Sequence, residues 1–360
     1  MDDPSETSAP ASFFDLTRAE LSVGLDRSFR ATQLFEAVYR HWIDDLDLVT
    51  NLPRALRSSL KSRVDIRPSP VARRFEAEDG TRRYLIQLAE GELAEAVFIP
   101  DGARNTICVS SQVGCALACQ FCLTGQLGFG RHLTAGEIVS QVIIVQRDNV
   151  IPDLGDHFNI VLMGMGEPLH NYDNVMKALG ILHDPVGLNM SMSRITLSTA
   201  GLVPEIARLA AEPLIPNLAI SLTGATDEKR DRLMPINRTY PIADLVGALR
   251  RFPLKRRQRI TLEYVLLADT TDSSDDALAL ARIAASIDAK VNLIPLNESP
   301  DLAFKRPNEA VVARFQGILR QRGVDAFIRR SRGDDISAAC GQLKKKWADQ
   351  PEIDLGALRL

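Results

Sequence analysis

Three cysteines in one short segment are the residues of this chain best suited to chemistry. Cys115, Cys119 and Cys122 are spaced C-x3-C-x2-C. Thiolates this close in sequence can converge on one metal centre. A structural zinc site needs a fourth ligand, which Cys108 or His132 would have to supply. The alternative is a [4Fe-4S] cluster held by three cysteines, which leaves one iron open to a further ligand.

Alternating strands and helices must position this segment. Strand-type apolar runs occur at 106–110, 159–163, 194–198, 217–221, 260–266 and 290–294, with a final run at 324–329. Helix-type segments occur at 134–148, 171–183, 202–211, 227–233 with 242–252, 273–287 and 308–321. The alternation predicts parallel βαβ units, in either an open doubly wound sheet or a complete or partial barrel. Six units are too few for the closed eight-stranded barrel.

Polar residues follow several of these strands. Glu167 comes after the second, in the turn Gly164-Met165-Gly166-Glu167-Pro168, where glycine lets the backbone approach a ligand. Ser198 follows the third strand, Ser221-Leu222-Thr223 the fourth, and Asn297 the sixth. Hydroxyls and an amide suit a ribose and a carboxylate, whereas each motif alone is more typical of a helix cap or a plain turn. Their shared placement favours a ligand site at the carboxyl ends of the strands.

With the last motif, the chain resembles a known family. Cys340 lies near the carboxyl terminus among glycines and aspartates, in the segment 332–343. The cysteine spacing in the first βα loop is similar to that of the radical S-adenosylmethionine (SAM) superfamily. With the segment around Cys340, the resemblance extends over nearly the whole chain to the RlmN/Cfr family of RNA methyltransferases. It implies an α/β fold with a partial six-unit (βα)6 radical SAM barrel.

The sequence also predicts what precedes the barrel. Spaced apolar residues in the opening segment predict two or three short helices. Strand-type runs at 84–88 and 94–99, separated by Glu90-Gly91-Glu92, predict a β-hairpin. We therefore expect three parts: a helical, RNA-binding accessory domain at 1–83, the barrel with its hairpin extension at 84–335, and a tail at 336–360.

The resemblance implies the cofactors and their ligands. A [4Fe-4S] cluster would be held by the three clustered cysteines, and the amino and carboxylate groups of SAM would chelate its open iron. An electron from the cluster would then break the sulfonium bond and leave a 5'-deoxyadenosyl radical. The expected SAM-binding residues are Gly166, Glu167, Ser198, Ser221, Leu222, Thr223 and Asn297. The family commonly has Ser-Leu-His-Ala where this chain has Ser221-Leu222-Thr223-Gly224, so an imidazole contribution at 223 is absent.

The resemblance also implies the reaction, methylation of adenine C2. One SAM would methylate Cys340, and a second would generate the radical that abstracts hydrogen from the S-methyl group. The resulting methylene radical would add to C2. Glu95 would then accept the C2 proton, and Cys108 would release the product by a transient disulfide with Cys340. The implied substrates are 23S rRNA, at the peptidyl transferase centre, and tRNAs, beside the anticodon. A C8 methyltransferase and a non-catalytic zinc-containing RNA-binding protein are the alternatives.

The net charge does not predict RNA binding, but local basic segments are candidates for contact with RNA. The chain has 43 Lys and Arg against 46 Asp and Glu, a net charge of −3, which gives no overall attraction to nucleic acid. The segment 54–83 has 9 basic residues against 4 acidic ones, and it is either an RNA contact or a solvated surface. Further basic candidates for RNA contact are Lys255-Arg256-Arg257 with Arg259, Arg329-Arg330 with Arg332, and 344–346.

The sequence shows no sign of a membrane span, a secretory signal or a disulfide scaffold, and this predicts the cellular compartment. The longest apolar stretch, near 138–145, is far shorter than the ~18 residues of a membrane span. The segment 1–6 is acidic, unlike a secretory signal, and five cysteines are too few for a disulfide scaffold. We therefore expect a cytoplasmic protein with no membrane contact. The resemblance further implies a monomer that receives electrons from a flavodoxin-type donor.

Overall fold

The computed structural model describes residues 10–102, 105–151, 158–338 and 341. Its strands are β1 (Ala11–Ser12), β2 (Val64–Asp65), β3 (Val71–Glu76), β4 (Arg82–Gln87), β5 (Leu93–Ile99), β6 (Asn105–Cys108), β7 (Gln112–Gly114), β8 (Phe129–His132), β9 (Phe158–Leu162), β10 (Ile195–Thr199), β11 (Asn217–Ser221), β12 (Thr261–Leu266), β13 (Lys290–Pro295) and β14 (Ala326–Ile328). Its helices are α1 (Arg18–Val23), α2 (Phe29–Tyr39), α3 (Arg54–Lys61), α4 (Leu123–Gln126), α5 (Ala135–Asp148), α6 (Tyr172–His183), α7 (Val203–Leu209), α8 (Asp227–Leu233), α9 (Ile242–Arg251), α10 (Ser274–Ser286) and α11 (Glu309–Gln321).

One sheet organises the molecule. Its strand order is β14-β13-β12-β11-β10-β9-β6-β5-β4-β3. Neighbours from β6 through β9 to β14 pair in parallel, each joined to the next by a crossover that contains a helix. The structure confirms the six predicted strands, the final strand predicted at 324–329, which is β14, and the expected partial barrel. Because all these strands run the same way, their carboxyl ends meet at one edge.

The β-hairpin extension is confirmed, and the structure adds a strand to it. β4 pairs antiparallel with β5, and β5 pairs antiparallel with β6 of the barrel. The added strand is β3, which the sequence did not predict; it pairs with β4 and lies within the range 1–83 assigned to a helical domain. Only Phe75 of β3 is fully buried, so its apolar signal is weak. An ion pair of 2.8 Å between Arg74 Nη1 and Asp148 Oδ1 fastens β3 to α5.

The amino-terminal helices pack around aromatic rings. Phe13, Phe35 and Tyr39 are buried, with ring centroids 5.1–5.4 Å apart. These rings belong to the same hydrophobic core as the main sheet. Asp15 reaches the first turn of α5, where its Oδ1 accepts a hydrogen bond from Gly136 N at 2.6 Å. The helical character predicted for the opening segment is therefore confirmed, and these helices are fixed to the barrel.

The apolar stretch 138–145 is the buried middle of α5. Its hydrophobic residues are all at most 1% exposed, and each contributes roughly 1.5–3 kcal/mol when fully buried. A capping box begins this helix, since Thr134 Oγ1 accepts from Glu137 N and the Glu137 carboxylate accepts from Thr134 N. In the described part of the chain, no helix has the length and hydropathy needed to cross a bilayer.

Candidate active site

A cavity of about 270 Å³ opens at the carboxyl edge of the parallel strands. The cysteine loop and the carboxyl ends of the five strands β9 to β13 contribute to its wall, as parallel topology requires. The predicted site residues that line it are Cys115, Cys119, Cys122, Gly166, Glu167, Ser198, Ser221, Thr223 and Asn297. Leu222 is not among the lining residues: its side chain is buried, its N–H donates to Glu263 O at 2.9 Å, and its carbonyl accepts from Arg230 Nε at 2.9 Å.

The cysteine loop runs from the end of β7 to the beginning of α4, and backbone hydrogen bonds fix it. Cys115 N donates to Gly128 O at 2.9 Å, which holds the loop to the strand that follows it. Gln120 N donates to Leu233 O at 2.9 Å, which holds the loop to the end of α8. Cys119 packs on the same small apolar cluster as Leu233. These contacts fix the loop, and with it the three cysteines, against β8 and α8.

The surroundings of these thiols favour their protonated form. Burial raises the pKa of Cys115 to about 12, and the negative charges of Glu167 and Cys122 add to this. Burial also raises the pKa of Cys119 and that of Cys122 above the ordinary value. Thiolates therefore form here when a cationic centre replaces the protons and neutralises the negative charge. Three such thiolates are the donor set of a soft metal centre.

The number of thiols in the loop bears on the choice between a cluster and a single ion. A structural zinc ion needs four donors at about 2.0–2.3 Å from one point. A four-iron cluster takes each thiolate on a different iron, so three thiolates leave one iron open to a further ligand. The three cysteines of this loop, which line one cavity, match the donor set of such a cluster.

Glu167 ties the turn after β9 to the end of β10. Its Oε1 accepts from Leu169 N at 3.0 Å, and its Oε2 accepts from Ala200 N at 2.8 Å. Burial raises its pKa to about 7, in spite of these hydrogen bonds. Gly166 precedes it at φ 104°, and a Cβ there would lie 2.6 Å from Gln112 Cβ, so only glycine fits the turn. The site thus presents a buried carboxylate whose ionisation a cationic ligand would favour.

Hydroxyl and amide groups complete the polar wall. Ser198 Oγ and Ser221 Oγ are 3.4 Å apart on the neighbouring strands β10 and β11. The Asn297 side chain follows β13 and accepts a hydrogen bond from Ser331 Oγ. These groups face the same cavity as the cysteines. They can donate to and accept from a ligand with hydroxyl and carboxylate groups, as the sequence predicts.

Residues 223 and 224, which depart from the family pattern, have structural partners. Thr223 is buried, and its Oγ1 accepts from Val265 N at 3.2 Å, which joins β11 to β12. Gly224 is at φ 109°, and a Cβ there would lie 3.0 Å from Arg230 Cα. A left-handed residue this close to helix α8 is best met by glycine. Thr223 therefore provides a strand-joining hydroxyl at the cavity wall rather than an imidazole.

Glu95 and Cys108 lie beside the cavity, on the face of the sheet that the 336–338 segment covers. Cys108 is opposite Val97 in the β5–β6 pair and packs in one cluster with Ala338, which itself lines the cavity. Glu95 is fully buried, with Oε2 3.8 Å from Arg83 Nη1. Arg83 Nη1 also donates to the carbonyl oxygen of Ser337 at 3.4 Å. The structure therefore places both residues close to the chain that leads to Cys340.

The segment before Cys340 is held by the turn between β3 and β4. Gly333 N donates to Asp79 Oδ2 at 3.2 Å, and Glu78 N donates to Asp335 Oδ2 at 3.1 Å. We call these two contacts the tail clasp. Cys340 itself lies outside the described residues. The nearest described residues on either side of it, Ala338 and Gly341, both line the cavity.

No disulfide joins any two of the described cysteines, which are Cys108, Cys115, Cys119 and Cys122. The expected disulfide bond between Cys108 and Cys340 is transient and involves a residue outside the described ranges. It therefore stays a prediction.

Several cavity residues were not predicted as ligands. Glu263 is a buried carboxylate on β12, its Oε1 accepts from Asn292 Nδ2 at 2.8 Å, and burial raises its pKa. The available signal was a charged residue within the apolar strand Thr261–Leu266. Arg329, Arg330 and Arg332 also line the cavity, although the sequence singled them out only as an RNA-binding patch.

Comparison with known proteins identifies the class. The sequence model of the family described as "Radical SAM superfamily" matches residues 109–281. The model of the family described as "Ribosomal RNA large subunit methyltransferase N-terminal domain" matches residues 14–66. The crystal structure of a radical SAM methyltransferase from Sphaerobacter thermophilus is similar, with a TM-score of 0.87 and 44% identity, covering 92% of this chain and 99% of that one. The fold and the thiol loop are those of a radical SAM enzyme.

Curated relatives narrow the class. The dual-specificity RNA methyltransferase RlmN of Syntrophotalea carbinolica is 48% identical over 339 residues, which are 94% of this chain and 89% of the relative. That of Geobacter sulfurreducens is 49% identical over 333 residues, 92% of this chain and 90% of the relative. This chain belongs to the RlmN family. Membership implies SAM and a [4Fe-4S] cluster as cofactors, and the three-thiol loop and Glu167 fit that pair.

Proposed function

We propose that this protein methylates C2 of adenine in 23S rRNA, at the peptidyl transferase centre, and in tRNAs, beside the anticodon. The observation that carries the proposal is one cavity lined by the three thiols, by Glu167 and by the described residues on either side of Cys340. The relatives named above are dual-specificity RNA methyltransferases, which supports RNA as the substrate.

The chemistry follows from the target atom. Adenine C2 is an electron-poor sp² carbon without a usable lone pair, so it cannot displace a methyl group from a sulfonium. When bound, the cluster and SAM supply an electron and a 5'-deoxyadenosyl radical. Glu167 would hold the amino group of SAM by charge, and the hydroxyls of Ser198 and Ser221 with the Asn297 amide would orient its ribose and carboxylate. The expected contacts at Gly166, Leu222 and Thr223 belong to the same proposal.

Cys340 would carry the carbon, and two SAM molecules would serve each turnover. The Cys340 thiolate first takes the methyl group of one SAM, which leaves S-adenosylhomocysteine. The S-methyl group of Cys340 would then give up one hydrogen atom to the radical that the second SAM supplies, and the resulting methylene group on Cys340 would form the bond to C2. Ala338 and Gly341 line the cavity, which supports delivery of the Cys340 sulfur to the radical.

Glu95 and Cys108 would complete the reaction. Addition of the methylene radical to C2 leaves one unpaired electron, which would return to the oxidised cluster as Glu95 takes the proton from C2. The Cys108 thiolate would then attack the Cys340 sulfur, so that an S–S bond forms as the sulfur–carbon bond breaks. The released carbon gains a proton and becomes the methyl group, and an external thiol or dithiol reduces the disulfide. In support, the buried pair of Glu95 and Arg83 and the Cys108 thiol lie on the face that Ser337 and Ala338 cover.

RNA would reach the cavity past its arginines. Arg329, Arg330 and Arg332 are exposed at the cavity wall, and phosphate contacts by such groups would weaken steeply with salt. Residues 1–83 would provide a further RNA-binding surface. The target adenine must leave its stack, at a cost of a few kcal/mol. A cytoplasmic monomer that takes electrons from a flavodoxin-type donor completes the proposal.

Anaerobic reconstitution tests the proposed function. The protein is loaded with iron and sulfide, reduced with dithionite and incubated with SAM and an RNA hairpin of the target region, and the digested nucleosides are analysed by mass spectrometry. We expect 2-methyladenosine and about four irons per chain. 8-Methyladenosine would show a C8 methyltransferase instead. A colourless, stoichiometric zinc protein would point to the non-catalytic RNA-binding alternative.

A further inference from the structure

Helix α8 contains a buried arginine that the site described so far does not use. Arg230 is 1% exposed. Its three donor nitrogens bond to neutral acceptors: Nε to Leu222 O at 2.9 Å, Nη1 to Asn237 Oδ1 at 2.8 Å, and Nη2 to Ala200 O at 2.5 Å. Among the described residues, the carboxylates of Asp227 and Asp231 act on its guanidinium only through their charge, without a hydrogen bond to it. Arg230 is thus hydrogen-bonded, but no direct ion pair neutralises its charge.

A buried charge in this state is costly. Desolvation of an unpaired ion costs several kcal/mol, and hydrogen bonds to neutral groups recover only part of it. Burial lowers the pKa of Arg230 to about 10, so the guanidinium is still charged at neutral pH. Asp227 and Asp231 act on it from a distance, and both are bonded to the Asn237 amide instead. The missing counter-charge is therefore to be sought on another side of Arg230.

The cysteine loop lies on that side. The helix that carries Arg230 ends at Leu233, whose carbonyl accepts from Gln120 N at 2.9 Å, between two of the cysteines. Leu233 is buried in a small apolar cluster, and the half-buried Cys119 packs against the same cluster. Arg230 and Cys119 interact electrostatically across this region. Charges at the edge of an apolar cluster interact more strongly than charges in water.

We propose that Arg230 is the fixed counter-charge of the iron–sulfur cluster and favours its reduced state. The inference rests on the proposed function, because it requires a cluster on Cys119. Reduction adds one electron to the cluster and neither makes nor breaks a bond, so the cluster gains one negative charge. A nearby buried positive charge stabilises the more negative state and raises the reduction potential. The attraction between Arg230 and the negatively charged cluster then offsets the free-energy cost of burying the guanidinium.

Two variants of Arg230 separate charge from hydrogen bonding. Arg230→Lys and Arg230→Met both remove the forked hydrogen bonds, but only Met removes the charge. The readout is the fraction of reduced cluster, from electron paramagnetic resonance, at a series of potentials set by dithionite and mediators, without SAM. At one potential we expect the ratio of reduced to oxidised cluster to fall about tenfold in Arg230→Met, which equals about 59 mV for one electron. In Arg230→Lys it should stay within about twofold of the unchanged protein.

Arg147 provides the matched control. It is also a buried arginine with few partners, but it lies at the far end of α5, where its Nη2 donates to Val38 O at 3.4 Å. Arg147→Met should leave the ratio of reduced to oxidised cluster unchanged. An equal fall in Arg230→Lys and Arg230→Met would overturn the inference, because the effect would then come from the hydrogen bonds. An unchanged ratio in Arg230→Met would overturn it as well.

Asp231→Asn keeps the inference testable if the Met variant does not fold. It removes a carboxylate whose negative charge partly offsets the positive charge of Arg230. The new amide keeps an oxygen that can accept from Asn237 Nδ2, as Asp231 Oδ1 does at 2.7 Å in the unchanged protein. The ratio of reduced to oxidised cluster should rise, by about twofold because Asp231 is partly exposed. No rise would contradict the inference. A protein that binds no iron contradicts the proposed function. Iron-loaded variants whose cluster has the same reduction potential as the unchanged protein contradict only the role of Arg230.

Discussion

The two sides of the cavity hold their charges differently. On the cluster side, Arg230 has only neutral hydrogen-bond acceptors and lies on α8, whose last residue, Leu233, is bonded to the cysteine loop. On the tail side, the equally buried Arg83 has a carboxylate partner in Glu95, 3.8 Å away. The charge of Arg83 is thus paired within the chain, whereas that of Arg230 is not. We infer that the cluster side is suited to a charged cofactor and the tail side to a reaction of the chain's own residues.

The largest effect should come from breaking the cluster side. Cys119→Ala removes one of three iron ligands, so we expect iron to be lost. Both 5'-deoxyadenosine and methylated RNA should then fall at least about 1,000-fold, because both depend on the radical. Iron analysis and chromatography of the two products measure this. Cys108→Ala, on the tail side, is the control and should keep its iron. Normal methylation by an iron-free Cys119→Ala protein would contradict the assignment of the cofactor to the cluster side.

Breaking the tail side should stop turnover but not radical formation. Cys108→Ala should trap RNA covalently on Cys340, because no thiol is left to release it, and it should yield less than about one methylated RNA per protein. Denaturing gel electrophoresis with labelled RNA measures the adduct. Cys340→Ala is the matched variant: it should form no adduct and accept no methyl group, while it still cleaves SAM. A Cys108→Ala protein that turns over without an adduct would remove Cys108 from the proposed role.

The charge of Glu167 should make SAM binding depend on pH. The pKa of Glu167 is raised to about 7 by burial, so the carboxylic acid predominates below this pH and the carboxylate above it. Only the carboxylate pairs with the ammonium group of SAM. The dissociation constant for SAM should therefore rise about tenfold as pH falls from about 8 to about 6. Equilibrium dialysis measures this, and Glu167→Gln should bind weakly at every pH. The same slope in Glu167→Gln would assign the effect to another group.

The smallest effect should come from loosening the tail clasp. Asp79→Ala removes the acceptor of Gly333 N and leaves the cysteine loop untouched. A less well placed tail should let more radicals go unused, so about threefold more 5'-deoxyadenosine should form per methylated RNA. Iron content and SAM affinity should not change. Asp173→Ala, at an exposed position on α6, is the control. Equal ratios in the two variants would show that the clasp does not position the tail.

The parts of the site that sequence could predict are those defined by short spacings. Cys115, Cys119 and Cys122 share one loop, and Glu167 shares one turn with Gly166. The strand ends at Ser198 and Ser221 could be found because apolar runs mark each strand, and parallel topology brings those ends together. Short spacings between residues, together with the rule that the carboxyl ends of parallel strands meet at one edge, therefore predict most of the residues that line the cavity.

The rest depends on contacts between distant segments. β3 has a single fully buried residue, and its ion pair with Asp148 cannot be read from its own pattern. Arg230 looks like any charged residue of the helix Asp227–Leu233 until the fold buries it. The approach of Gly333 to Asp79 joins residues 254 positions apart. Such contacts are set by packing, so one sequence without the fold does not reveal them.

One measurement tests the central claim, that a sulfur of the chain carries the carbon to a radical made in the same cavity. The reconstituted protein turns over with SAM whose methyl group contains three deuterium atoms, and the methylated adenosine is analysed by mass spectrometry. Because one hydrogen of the S-methyl group goes to the radical, the product methyl group should contain two deuteriums, and the third should appear in 5'-deoxyadenosine. A product methyl group that retains all three deuteriums would contradict the account.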